Sequence, residues 1–267
     1  NAFDLKSKAS ELGISEENLS KLIVTAGKSS DDSLQTDAMS SSVLNGTFNA
    51  EGFGFSVAKA GDLNGDGYDD IIVGAPYNNS SGNPTGKAYI FFGGSVMDDI
   101  ADLVFTGTST NGYFGCSVAG AGDVNGDGYS DLLIGACYAG TGGKAYLYYG
   151  GAAMNNVEDL TFTGAVSNSG LGYSVSTAGD VNGDGYSDFI IGSPHDNHGK
   201  AFIYLGGNSP DNVADFTLSG SGGEELGLSV SQAGDVNGDG YSDVIVGAPY
   251  YSSQTGRTLI YFGGRTM

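Results

Sequence analysis

The chain is organised around residues 123–131, which read Asp-Val-Asn-Gly-Asp-Gly-Tyr-Ser-Asp. The same nine residues begin again at Asp180 and at Asp235, and a close variant, Asp-Leu-Asn-Gly-Asp-Gly-Tyr-Asp-Asp, begins at Asp62. The copies follow one another at intervals of 55 to 61 residues. Self-similarity at a nearly fixed period indicates a repeat architecture, in which each period supplies one supersecondary unit. We therefore interpret the chain as four copies of one unit.

Short apolar segments surround each acidic nonapeptide at constant offsets. The segments that lead into the loops are residues 53–57, 114–118, 171–175 and 226–230. After the loops, apolar runs that end in Pro or Cys occupy residues 71–76, 132–137, 189–194 and 244–249. A third segment, such as 87–92, ends in Gly-Gly, and a fourth follows, such as 103–107. Four short strands per repeat predict one blade of a β-propeller.

The last repeat stops after its third strand, at residues 258–264. Residues 43–46, which precede the first repeat, match the pattern of the fourth strands. We expect an all-β fold, a propeller of four four-stranded blades over residues 41–267, in which this N-terminal strand completes the last blade and closes the ring. Closure would also remove exposed strand edges. The alternative is that the chain is cut from a longer propeller.

Residues 1–40 lie outside the repeat. Apolar residues at helical spacing follow a plausible N-cap at Ser15, and Gly27 is a plausible stop. This pattern predicts a short α-helix, which packs on the propeller or on a preceding domain, or else binds a partner. A Ser- and Asp-rich linker follows it.

The composition excludes several classes of protein. Among 267 residues, 47 are Gly, and 31 acidic residues against 10 basic ones give a formal net charge of −21. Such a charge repels phosphate backbones and anionic lipids, so no nucleic-acid partner is expected. No apolar run reaches the length that a membrane span requires, so direct membrane insertion is not expected either. An acidic excess of this size favours bound cations.

The acidic loops have the ligand pattern of a calcium site. Carboxylate or amide side chains fall at positions 1, 3, 5 and 9, Gly falls at position 6, and the carbonyl of position 7 can turn inward. One loop alone would equally suit a hairpin turn, but four complete copies favour four Ca²⁺ sites. The predicted ligands are Asp62, Asn64, Asp66, Tyr68 and Asp70; Asp123, Asn125, Asp127, Tyr129 and Asp131; Asp180, Asn182, Asp184, Tyr186 and Asp188; and Asp235, Asn237, Asp239, Tyr241 and Asp243.

The repeats resemble a known family. Phe53-Gly54, the run Gly74-Ala75-Pro76 and the acidic loop between them are similar to FG-GAP repeats, the units of the integrin alpha-subunit β-propeller. The resemblance covers residues 43–264. It implies a propeller, usually seven-bladed in that family, with calcium in hairpin loops on one face and ligand recognition by other loops. This chain departs from the family in having four repeats, all of which carry acidic loops.

Two cysteines occur in the second repeat only. Cys116 and Cys137 lie on the strands that flank one acidic loop, at positions where the other repeats have different residues. Their joint occurrence suggests that they face each other. A disulfide across the hairpin is expected, with two free core thiols as the alternative, and a disulfide would suit an oxidising compartment.

The predicted function is a calcium-stabilised binding or adhesion module, secreted or at the cell surface, that recognises an extracellular protein or glycan. The proposed recognition loops, which vary while the framework repeats, are residues 77–86, 138–143, 195–199 and 250–256. No catalytic constellation is evident, so no catalytic residue is assigned. The alternatives are a structural spacer, as part of a larger surface protein, or the propeller domain of a secreted hydrolase or lyase.

Overall fold

The structure is a computed structural model that describes residues 42–47, 49–80, 82 and 84–265. The helix predicted within residues 1–40 lies outside these described residues. Residues 42–267 form a compact unit of their own. The domain division at residue 40 stays a prediction.

Fifteen strands of the described chain form four antiparallel sheets, each of which is a simple up-and-down meander. The first sheet contains β1 (Ser56–Gly61), β2 (Asp70–Ala75), β3 (Lys87–Phe91) and β4 (Leu103–Thr106). The second contains β5 (Phe114–Gly122), β6 (Asp131–Ala136), β7 (Lys144–Tyr148) and β8 (Leu160–Thr163). The third contains β9 (Ser174–Gly179), β10 (Asp188–Ser193), β11 (Lys200–Tyr204) and β12 (Phe216–Ser219). The fourth contains β13 (Ser229–Gly234), β14 (Asp243–Ala248) and β15 (Arg257–Tyr261), with a turn at Tyr251–Gln254 before β15 in which Ser252 and Ser253 have positive φ angles. The all-β prediction is confirmed.

The second strand of each repeat is the centre of its sheet. Every residue of β6 and of β10 is buried, which is why these segments are continuous apolar runs rather than alternating ones. In the second sheet, Leu133 pairs with Ala119 on one side and with Leu147 on the other. Such strands form the core of each sheet and fix the positions of the loops at both of its ends.

Consecutive sheets pack face to face. One buried cluster joins Ile72 and Ile90 of the first sheet to Ile134 of the second. A second cluster joins the second sheet to the third, and a third joins the third sheet to the fourth. Parallel bridges, such as the one between Gly86 and Phe114, also link each sheet to the next. This stacking of four-stranded meanders is consistent with propeller blades.

The structure does not contain the closing strand that the sequence predicts at residues 43–46. Residues 43–46 are not in a strand, and β15 pairs only with β14 within the described chain, so the fourth sheet has three strands there. Leu44 instead packs on the first sheet, in a cluster with Val73 and Phe91. The repeat places Leu44 at the position of Phe105, whose ring packs on the sheet that follows it. Leu44 therefore packs on the first sheet as a fourth-strand residue would. Residues 43–46 nevertheless form no strand pair with β15.

Candidate functional site

Each acidic loop is wound around its first aspartate. In the second repeat, Oδ1 of Asp123 accepts hydrogen bonds from the backbone N–H groups of Gly126 (2.7 Å) and Asp127 (3.1 Å), and Oδ2 accepts one from Gly128 (2.9 Å). Gly126 and Gly128 have φ angles of 77° and 91°, which suit glycine and few other residues. The other three loops make the same three bonds. The nonapeptide therefore encodes one fixed loop conformation, used four times.

The ninth aspartate has a different role from the first. Asp131 is fully buried, its Oδ2 accepts the backbone N–H of Val124 at 2.7 Å, and its Oδ1 accepts that of Gly150 at 2.9 Å. Asp70, Asp188 and Asp243 bind the equivalent pairs of N–H groups. Through these two hydrogen bonds, the ninth carboxylate connects the start of the acidic loop to the Gly-Gly pair that follows the third strand. Burial raises the pKa of both Asp131 and Asp188 to about 7.

Replacing Asp131 by alanine is expected to lower the free energy of unfolding by about 2–3 kcal/mol, because two buried N–H groups lose their acceptor. Chemical denaturation followed by circular dichroism measures the loss. Asp211→Ala is the matched control, since its Oδ1 also accepts a backbone N–H, from Val213, but in an exposed turn. Equal losses in the two variants would contradict the anchoring role of the buried carboxylate.

The donor chemistry of the loops fits a hard cation. Asp123, Asn125 and Asp127 lie on one exposed loop. Their side chains offer carboxylate oxygens and, from Asn125, the amide oxygen Oδ1, which are the ligands that a hard cation prefers. The described residues contain no group of three or more His, Cys, Asp or Glu side chains gathered as around a metal. At the ninth position, both oxygens of Asp131 accept hydrogen bonds from backbone N–H groups. Each oxygen has a second lone pair, so this anchoring is compatible with ligation.

The opposite end of the sheets carries a row of aromatic rings, exposed except for the half-buried Tyr113, which we call the tyrosine row: Phe55, Tyr77, Tyr113, Tyr138, Tyr173, His195, Tyr250 and Tyr251. Tyr77 contacts Phe55 and Tyr113 edge to face, with ring centroids 5.5 and 5.4 Å apart, and Tyr113 contacts Tyr138 at 5.3 Å. The rings therefore support one another across the first and second sheets.

The tyrosine row continues along the third and fourth sheets. Tyr173 contacts His195 with centroids 5.9 Å apart. In the fourth sheet the Arg257 guanidinium lies 4.2 Å above the ring of Tyr251 and pairs at 2.7 Å with the buried Glu224. The row thus follows the loops after the second strands over all four sheets.

The tyrosine row was not identified from the sequence as a site. The predicted recognition loops begin at its members, because an aromatic residue follows the Pro or Cys that ends the second strand in each repeat: Tyr77, Tyr138, His195 and Tyr250. The sequence therefore shows an aromatic residue at the same position of every repeat. It does not show that these rings are exposed to solvent, and their exposure is what makes them a candidate site.

The two cysteines lie together, as expected, but as free thiols, so the disulfide is not formed in the structure. The backbone N–H of Cys137 donates to Sγ of Cys116 at 3.3 Å, and that thiol donates to the carbonyl of Gly172 at 3.5 Å. Both sulfur and thiol hydrogen are thus engaged without a covalent bond. A disulfide stays a prediction for the oxidised protein.

No helix among the described residues is both long and apolar enough for a membrane crossing. The FG-GAP repeat model matches the chain four times, at residues 53–91, 114–148, 171–208 and 227–261. These matches cover the first three strands of every sheet and all four acidic loops.

Integrin alpha subunits are among the relatives of this chain. It is 34% identical over 229 residues to integrin alpha-5 of Xenopus laevis, a match that covers 79% of this chain and 21% of the relative. It is 38% identical over 155 residues to integrin alpha-7 of Rattus norvegicus, covering 57% of this chain and 13% of the relative. The chain thus spans about a fifth or less of the length of these relatives. The family model that matches describes a repeat unit, and no catalytic family is indicated. The chain belongs to the FG-GAP repeat family, and it is similar to integrin alpha subunits over these repeats.

Proposed function

We propose that the chain is a calcium-stabilised adhesion module, secreted or at the cell surface, that binds an extracellular protein or glycan through the tyrosine row and its loops. The observation that carries this proposal is the row itself. Aromatic rings exposed together on one surface mark interaction sites more often than scattered apolar residues do. The similarity to integrin alpha subunits supports an adhesive role as part of a larger surface protein.

The geometry of the row suits recognition. Its rings are held by edge-to-face contacts, such as the one between Tyr113 and Tyr138, so little side-chain freedom is lost when a ligand binds. Tyrosine also offers a hydroxyl beside its apolar ring, which lets it contact peptide and sugar surfaces alike. The net charge of −21 favours neutral or basic ligands over anionic ones.

The acidic loops supply the second half of the proposal. Each would hold one Ca²⁺ with the oxygens of positions 1, 3, 5, 7 and 9, at the end of the sheet opposite to the row. Four Ca²⁺ ions would offset eight of the negative charges of the chain and relieve repulsion between the carboxylates predicted as ligands, three in each loop. The metal is thereby structural, and it stiffens the sheets that carry the row.

The test is a binding screen on immobilised matrix proteins and glycans in millimolar Ca²⁺. We expect at least one partner whose affinity falls about tenfold or more in the double variant Tyr77→Ala and Tyr138→Ala. Tyr68→Ala is the matched control, because Tyr68 is an exposed tyrosine at the opposite, acidic end. A partner that binds all three proteins equally, or no partner for a correctly folded chain, would contradict the proposal and favour a structural spacer.

A further inference from the structure

Consecutive acidic loops are hydrogen-bonded to one another. The backbone N–H of Ser130, at the eighth position of the second loop, donates to the carbonyl of Asp62, at the first position of the first loop, at 2.9 Å. The same bond recurs at 2.9 Å in the two later pairs of loops, from Ser187 to Asp123 and from Ser242 to Asp180. The four loops therefore form one row, in which each neighbouring pair shares this contact.

A second backbone bond joins the same pairs of loops. The N–H of Gly151, in the Gly-Gly pair after β7, donates to the carbonyl of Leu63 in the first loop at 2.8 Å. The adjacent Gly150 donates its own N–H to Oδ1 of Asp131, the ninth residue of the second loop. The equivalent bonds in the later pairs, at 2.8 and 2.7 Å, run from Gly207 to Val124 and from Gly264 to Val181. The first two carbonyls of each of these three loops are thus held by the repeat that follows.

Tyrosine rings add a third contact between neighbouring loops. The ring of Tyr129, at the seventh position of the second loop, covers Gly65 at the fourth position of the first, so that a Cβ atom on Gly65 would lie 2.5 Å from the ring. The distances are 2.5 and 2.6 Å in the later pairs, where Tyr186 covers Gly126 and Tyr241 covers Gly183. Movement of one loop therefore displaces a contact of its neighbour.

One peptide group links two predicted Ca²⁺ sites. The carbonyl of Tyr129 is the predicted seventh-position ligand of the second loop, and the N–H of the same peptide group is that of Ser130, which donates to Asp62. A cation on the carbonyl oxygen would polarise the amide and make its N–H a stronger donor. The side chain of Asp62 is the acceptor around which the first loop is wound. A cation in the second loop would therefore stabilise the first loop at its own first ligand.

We propose that Ca²⁺ binding is positively cooperative between adjacent acidic loops, because the N–H groups that hold the start of one loop are fixed by the predicted ligands of the next. This inference rests on the proposed calcium sites and adds their dependence on one another. Coupling between binding sites is reciprocal, so each loop raises the affinity of its neighbours on both sides. Three side chains are positioning residues, since only their carbonyls belong to the predicted ligand sets: Tyr129, Tyr186 and Tyr241.

Electrostatic repulsion alone predicts the opposite sign. A Ca²⁺ ion in one loop weakens the negative potential that attracts an ion to the next loop. Salt screens this effect, because the Debye length falls to about 6 Å at 0.3 M salt, whereas the hydrogen bonds and ring contacts between loops persist. We therefore expect the cooperativity to increase between low salt and about 0.3 M KCl.

Stepwise addition of Ca²⁺ to the metal-free chain in about 0.3 M KCl, below its melting temperature and followed by NMR, tests the proposal. Four backbone N–H signals report the loops separately, because each N–H donates to the first aspartate of its loop: those of Gly67, Gly128, Gly185 and Gly240. The loops of the unaltered chain are expected to fill over a narrower range of Ca²⁺ concentration than independent sites allow.

Asp127→Ala removes a predicted ligand of the second loop. We expect the affinity of the first and third loops for Ca²⁺ to fall about fivefold, because both are bonded to the second loop. The affinity of the fourth loop, which is bonded to the third, is expected to change by less than about twofold. Glu158→Gln is the control, since its exposed carboxylate lies outside the acidic loops.

The positioning role of the tyrosine ring is tested in the same way. Tyr129→Ala keeps the carbonyl ligand, and in this variant the added change Asp127→Ala is expected to lower the affinity of the first loop by about twofold or less. Tyr129→Phe keeps the ring and should restore the fivefold dependence. Tyr68→Ala is the matched control, because Tyr68 holds the same position in the first loop with an exposed ring.

The outcomes separate the coupling from the sites themselves. Circular dichroism confirms that each variant folds. Ca²⁺ binding in which Asp127→Ala leaves the first loop unchanged, or lowers the affinity of the other three loops equally, would overturn the coupling alone. A fivefold dependence that Tyr129→Ala does not reduce would do the same. A chain in which no loop responds to Ca²⁺ would overturn the calcium sites and the coupling with them.

Discussion

Removal of Ca²⁺ with EDTA is expected to lower the melting temperature of the chain by about 5 °C or more. At millimolar Ca²⁺ a site with a dissociation constant of about 10⁻⁴ to 10⁻³ M stabilises the folded state by about 0.6–2 kcal/mol. Four such sites together contribute about 2–8 kcal/mol. A domain of this size loses about 2–4 °C for each kcal/mol. Differential scanning calorimetry in Ca²⁺ and in EDTA measures the shift.

A single-loop variant separates metal binding from ordinary loop packing. Asp127→Ala removes one predicted ligand, so we expect a clear loss in the free energy of unfolding in Ca²⁺ and a much smaller loss in EDTA. The loss that remains in EDTA reflects the hydrogen bond that Asp127 accepts from the N–H of Tyr129. Glu158→Gln, an exposed carboxylate outside the loops, should show no such dependence. Identical melting curves with and without Ca²⁺ would contradict the calcium sites.

The repeat allowed most of the fold to be predicted from the sequence. Short apolar runs between Gly-rich turns fix strand order, because each strand can pair only with its chain neighbours across such short connections. The acidic loops were also identified correctly as loops joining the first and second strands. All four loops share one conformation, which the repeated hydrogen bonds around Asp62 and its equivalents define.

Other features depend on distances that a repeat does not encode. The prediction of a closing strand at residues 43–46 was wrong, because the repeat gives the packing position of Leu44 but not the distance to β15. The anchoring bonds of Asp131 join the loop to Gly150 across the sheet, and only the folded arrangement brings these two residues together. The exposed tyrosine row likewise follows from accessibility and not from spacing.

Replacing Gly135 by alanine is expected to destabilise the folded chain strongly. Gly135 lies in the buried strand β6, and a Cβ there would lie 2.0 Å from the carbonyl oxygen of Gly172 and 2.3 Å from Ser117 Oγ. Both neighbours belong to the packed contact between the second and third sheets, so the backbones must separate. We expect a loss of about 4 kcal/mol or more in the free energy of unfolding.

Gly247→Ala is the matched control, because Gly247 holds the same position in the fourth sheet. Its Cβ would meet only the Ser229 side chain, 2.4 Å away, which can rotate aside. We expect a loss of about 1 kcal/mol or less. Urea denaturation of both variants measures the difference, and similar losses would contradict the interpretation. Gly135 and Gly247 hold the same position in equivalent strands of two repeats, but only Gly135 would contact a carbonyl of another sheet. The difference between the two losses therefore measures how much the packing of that sheet contributes to the cost of the added methyl group.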